Sequence, residues 1–109
     1  MSPVPRRCPL YAAAVGVLLP IALPASAAAA NHVVVIDQMK YAAVPPLKVG
    51  DTVTFVNKDM FRHTVTAPNN SFNLDLMPGA HGTLRVNSAG QAAFYCKYHP
   101  GMRGVMVTK

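Results

Sequence analysis

Glutamate is absent from this chain of 109 residues, and cysteine occurs only twice. The four acidic residues are all aspartates: Asp37, Asp51, Asp59 and Asp75. No nucleophile–base pair stands out, which argues against hydrolytic or group-transfer chemistry. One of the two cysteines, Cys8, lies near the start, so the chain beyond residue 30 holds Cys96 alone and can form no internal disulfide. No apolar run reaches the roughly 20 residues a spanning helix needs. The longest, Leu10 to Leu23, is broken by Pro20, and stable membrane insertion is not expected. Beyond residue 31 there is no helical period, internal repeat or low-complexity tract. Cationic residues there are few and scattered: Lys40, Lys48, Lys58, Arg62, Arg85, Lys97, Arg103 and Lys109. Eight cations against four aspartates leave a net charge of +4, too sparse and dispersed for a nucleic-acid reader.

The first thirty residues differ from the rest. Arg6 and Arg7 precede the apolar run, and small residues from Pro24 to Ala30 follow it. That order reads as a secretory signal peptide over residues 1–30, cleaved between 27 and 31. It predicts a periplasmic domain over residues 31–109. At roughly 80 residues, a single core supplies only about 3–5 kcal/mol, and such domains commonly need a staple. With disulfides excluded, a bound metal is the natural candidate, because binding to the native state adds to its stability.

The remainder alternates short β-rich runs with turns. Runs at Val33–Ile36, Leu47–Val49, Thr52–Val56, His63–Thr66, Phe72–Leu76, Thr83–Val86, Ala92–Cys96 and Val105–Thr108 predict seven or eight strands. The corresponding class is all-β, a sandwich or barrel. Alternation along each strand turns Phe94 and Cys96 inward together, and likewise Val53 with Phe55 and His63 with Val65.

Chemistry concentrates between the last two runs. Cys96-Lys97-Tyr98-His99-Pro100-Gly101-Met102 reads C-x-x-H-x-x-M. A thiolate, an imidazole and a thioether form a soft donor set that favours copper. His63 supplies a second imidazole from an upstream strand. Two histidines, one cysteine and a weak axial methionine are the ligand set of electron-transfer copper.

These residues make the chain resemble the cupredoxins, or type 1 blue copper proteins, and within them the amicyanin- and plastocyanin-like members. The matching stretches are Met39–Tyr41, Lys48–Thr54, Asn57 six residues before His63, and Cys96 through Gly104. The resemblance implies a Greek-key β-sandwich with one copper ion near one end, held by His63, Cys96, His99 and Met102. It implies a single-electron carrier between redox protein partners, monomeric, with no catalytic residues. It also implies that Asn57 hydrogen-bonds across to the ligand loop and steadies it. Thr64 stands where an asparagine is common in the family, its backbone N–H still able to reach the Cys96 sulfur. Tyr98 stands where proline is common.

Other residues carry secondary expectations. Lys58, Arg62, Lys97 and Arg103 bracket the donors and form a basic collar that steers an acidic partner, or else ordinary solvated charge. His81 reads as an exposed turn residue. Met106 competes with Met102 as axial donor but reads as packing. Met39, Met60 and Met77 fit the core or the rim of the copper end. A chain beginning at Ala30 would place His32 third after a free amine, an arrangement that chelates Cu(II); the alternative is a histidine at a strand start. The rival function is a copper chaperone or storage protein of the same fold. Multicopper oxidases and copper nitrite reductases fit less well: they carry a histidine next to the cysteine, whereas Cys96 lies between Tyr95 and Lys97.

Overall fold

The computed structural model describes residues 28–109, together with Pro3, Gly16 and Pro20. Apart from Ala28–Ala30 and those three positions, the leader expected over residues 1–30 lies outside the described residues. Among the described residues no helix is long and apolar enough to cross a membrane.

Among the described residues eight strands follow one another: β1 (Asn31–Asp37), β2 (Lys40–Tyr41), β3 (Thr52–Asn57), β4 (His63–Thr66), β5 (Asn73–Leu76), β6 (His81–Arg85), β7 (Gly90–Tyr95) and β8 (Arg103–Thr108). They form two four-stranded sheets in the orders β2-β1-β3-β6 and β5-β4-β7-β8. The β1–β3 pair is parallel and the other strand pairs are antiparallel. The chain changes sheet after β3, β5 and β6, which makes the Greek-key sandwich that the resemblance implied.

Inner faces follow the predicted parity. Val34, Ile36, Val53 and Phe55 meet Val65, Leu76, Phe94 and Met106 in one core, which extends to Cys96 and Met102. Strand β4 departs from it: all four of its residues are buried. Its outer face is polar but satisfied. The Lys97 N–H donates to Thr64 Oγ1 at 2.9 Å, and Thr66 Oγ1 lies 2.8 Å from Thr64 Oγ1 and 2.7 Å from Asn73 Oδ1. Each hydroxyl has one proton, so the arrangement that pairs every atom runs from Thr64 to Thr66 to Asn73.

Two local predictions change. Leu47–Val49 is not a strand but a single bridge from Leu47 to Thr108. Pro45 and Pro46 offer no N–H, and the Lys48 N–H is taken by Asp51 Oδ2 at 2.9 Å, leaving little backbone for a ladder. Strand β2 has no counterpart in the sequence reading. It forms because Gln38 and Met39 both adopt left-handed backbone, with φ of 50° and 60°, closing a two-residue hairpin onto Asp37. Neither is a usual turn residue there, so composition gave no signal.

Gly104 faces Phe94 across the β7–β8 pair, and a Cβ built on it falls 2.2 Å from Phe94 Cζ. Phe94 cannot yield freely: its ring sits edge-on to Tyr41 and Phe55, with centroids 4.8 and 5.5 Å away. Gly104→Ala is therefore expected to cost about 1–3 kcal/mol through overpacking, read from a denaturant midpoint at unchanged slope.

At the end of the sandwich holding the Lys48–Asp51 turn, the buried Asp51 carboxylate accepts the N–H groups of Ala30 and Lys48 at 2.9 Å each and lies 3.0 Å from His32 Nε2. Those backbone donors, then His32, hold its pKa down to about 2. The folded value lies below the unfolded one, so its stabilisation is complete above the ordinary pKa and lost as pH falls toward 2. Asp51→Asn should therefore lower the melting temperature at pH 7, and the gap to the parent should close near pH 2. The same contacts place His32 in β1 with its Nε2 against Asp51.

Candidate metal centre

At the opposite end of the sandwich β3 finishes at Asn57, and the turn to β4 delivers His63. Asn57 is fully buried. Its Nδ2 donates to the Phe61 carbonyl at 2.7 Å and the Leu76 carbonyl at 3.0 Å, and its Oδ1 accepts the Asp59 N–H at 2.9 Å. This corrects the expectation that Asn57 reaches the Cys96–Met102 loop. The turn Lys58–Arg62 folds back over the end of β3, so the side chain is satisfied there and at β5. The cross-link between the two donor-bearing segments is made instead by Thr64, whose Oγ1 accepts the Lys97 N–H.

The turn also brings Asp59 to His63. Asp59 Oδ2 lies 2.8 Å from His63 Nε2 and accepts the Met39 N–H at 2.9 Å, while Oδ1 accepts the Met60 N–H at 2.8 Å. The His63 contact first, then the Met39 N–H, hold the Asp59 carboxyl below its usual range. An ionised carboxylate only accepts, so Nε2 is the donor, and the neutral ring keeps its lone pair on Nδ1. That nitrogen faces Cys96. Asp59 was not singled out from the sequence; its one signal is an acid four residues before the histidine.

Cys96 follows the last residue of β7 and is fully buried. Its Sγ accepts the Thr64 N–H at 3.3 Å, the contact the sequence allowed for. Thr64 is held in turn by the Tyr41 hydroxyl, which donates to its carbonyl. Burial, and then the nearby Cys96, push that hydroxyl above its ordinary pKa, so it remains a donor.

The loop then closes on itself. The Met102 N–H donates to the His99 carbonyl at 2.8 Å, and the Cys96 N–H to the Met102 carbonyl at 3.2 Å. Cys96 Sγ lies 3.8 Å from His63 Nδ1 and 3.8 Å from His99 Nδ1, and the three donor atoms all fall within 4.8 Å of one another. One thiol proton cannot serve two imidazoles. A first-row ion does serve both: about 2.0 Å from nitrogen and about 2.3 Å from sulfur, the lengths known for zinc, span such a gap at an angle of roughly 120°. Each sulfur–nitrogen gap thus fits a shared first-row ion, and a thiolate with two imidazoles is a donor set that favours copper.

Of the four predicted donors, three are brought together. Met102 is buried beside them in the core cluster, its backbone bonded to both Cys96 and His99. Met106 points elsewhere: with Phe72, Leu84 and Val86 it lines a cavity of about 300 Å³ at the other end. His81 is exposed, though it opens β6 rather than lying in a turn. Met39 is half-buried, and Met60 and Met77 are exposed.

No protein-family model and no curated protein matches this chain. Solved structures do. It is 32% identical to an oxidized mutant of amicyanin, covering 72% of this chain and 81% of that one at a TM-score of 0.63. A second oxidized amicyanin mutant gives 33% identity, 72% and 82% coverage and a TM-score of 0.64. A Cu(I) form of a further mutant gives 33%, 72%, 82% and 0.61. With the same sandwich and this degree of identity over most of both chains, the chain belongs to the cupredoxin family, as an amicyanin-like member.

Proposed function

We propose that this protein is an exported type 1 blue copper carrier that passes single electrons between redox proteins, its one copper held by His63, Cys96, His99 and Met102. The observation that carries the reading is the convergence of one sulfur and two imidazole nitrogens within 4.8 Å. Bound there, copper supplies one-electron chemistry between Cu(II) and Cu(I). The protein's part is to hold the donors still. Asp59 orients His63, the Thr64 N–H supports the Cys96 sulfur, and the backbone of Met102 closes the loop; such supporting contacts set both affinity and potential. His99 is the one of the four that is not buried, and it links the site to the surface. Phe61, Tyr98 and Pro100 are exposed around it, suiting the small, quickly released interfaces of redox partners. A preformed, buried donor set favours a carrier over a chaperone, whose ligands must exchange.

Charge supports an acidic partner. Asp51, Asp59 and Asp75 are each committed to partners within the chain; among the described residues near this end, Asp37 is exposed without an ion pair, and so are Lys58, Lys97 and Arg103, which leaves the balance basic. Arg62 leaves the expected collar, because it is paired with Asp75. Electron transfer with an acidic partner should therefore slow as ionic strength rises.

Adding Cu(II) to apoprotein and recording visible and paramagnetic-resonance spectra tests the assignment. An intense visible band at one copper per chain is expected, and a colourless complex would overturn it. Met102→Leu is expected to keep the copper and raise the reduction potential, since the thioether that would help hold Cu(II) is lost. Mass analysis of protein recovered from the periplasm should show a chain starting between residues 28 and 31.

A further inference from the structure

Each histidine of the site is preceded by a residue of one surface cluster: Arg62 before His63 and Tyr98 before His99. Asp75 joins them. Arg62 Nε donates to Asp75 Oδ1 at 2.8 Å and Arg62 Nη2 to Asp75 Oδ2 at 2.5 Å, a bidentate pair. The Tyr98 hydroxyl donates to the same Oδ2 at 3.2 Å. The Arg62 guanidinium also lies over the Tyr98 ring, 4.9 Å from its centroid. All three side chains thus contact one another, and Asp75 is fixed on β5 opposite Thr64 of β4.

We infer that Arg62, Asp75 and Tyr98 act as a clamp that holds the His99 segment against the His63 segment, so that the donors stay assembled without metal. An isolated exposed ion pair contributes little, but a bidentate pair within a network is the recognised exception. Here the pair has a third member, and that member lies inside the ligand loop. Proline stiffens the backbone directly by fixing φ; Tyr98 would restrain the same position from outside, through its ring and hydroxyl. On the far side of His63, the Lys97 N–H bond to Thr64 Oγ1 makes a second rung between the same two segments. Arg62, Asp75 and Tyr98 are positioning residues, because none of them supplies a donor atom.

The functional consequence rests on the copper reading, but the clamp itself is testable without metal. Amide exchange is measured on apoprotein for the parent, Tyr98→Leu, which removes both the ring and the hydroxyl contact, Arg62→Gln and the double variant. Exchange at the bonded amides of Cys96, Lys97 and Met102 is expected to accelerate roughly fivefold to tenfold in each single variant, with the strands β1 and β3 unchanged. The double variant should be no faster than the faster single one, because one network is broken only once. Parental exchange in the single variants, or equal acceleration in β1 and β3, or multiplicative effects in the double variant, would overturn the clamp. On copper-loaded protein a strong Cu(I) chelator should extract the metal about threefold faster or more from each single variant, by the same local opening. Parental extraction rates with a normal visible band would count against the clamp. A parent with no visible band would sink the copper reading and leave the exchange result standing.

Discussion

Cys96→Ser is expected to remove the intense visible absorption altogether. The thiolate is the one anionic, strongly covalent donor in the cluster, and a serine hydroxyl is a hard oxygen that stays protonated at neutral pH. Two imidazoles and a thioether would then remain, a set with no sulfur anion to hold Cu(II) or produce the colour. The fold should survive. Position 96 is fully buried, but the Thr64 N–H already points at the sulfur, so the hydroxyl finds a partner and avoids the penalty of an unpaired buried group. Circular dichroism of the apoprotein should match the parent while the copper-loaded spectrum is colourless. Retained colour would refute the ligand assignment.

Asn57→Ala should have the largest effect on stability. It strands the buried Leu76 carbonyl, at about 1–3 kcal/mol for a buried group left without a partner, and releases the part-buried Phe61 carbonyl and Asp59 N–H, which unties the turn. Water entering the gap would recover part, so a net loss of about 3 kcal/mol is expected. A domain of this size has only about 3–5 kcal/mol in hand, which leaves the apoprotein variant close to unfolding at room temperature. Copper should rescue it, because a ligand at about a thousand times its dissociation constant adds about 4 kcal/mol to the native state. Urea melts with and without metal check both halves. An apoprotein midpoint matching the parent would show that Asn57 does not hold the turn to His63.

Much of the centre was legible beforehand, for a local reason. Alternation along β7 turns Cys96 to the same side as Phe94, and alternation along β4 turns His63 with Val65. The seven-residue segment from Cys96 to Met102 needs only one tight loop to bring its backbone ends together. The supporting residues were less legible. Asn57 carried a family expectation, and its true partners, Phe61, Leu76 and Asp59, emerged only when the turn over β3 was seen.

The amino-acid order alone determined which donor types exist, which face each strand buries, and that the chain is all-β with one cysteine beyond residue 30. Tertiary structure decided which nitrogen of His63 faces the sulfur, because that choice belongs to Asp59 and to the left-handed Met39 backbone behind it. It also decided that Thr64 links the two segments and that Arg62 is bound to Asp75 and Tyr98. These contacts join residues from different strands and loops, and a hydrogen bond depends on angles and distances that no periodicity along the chain encodes.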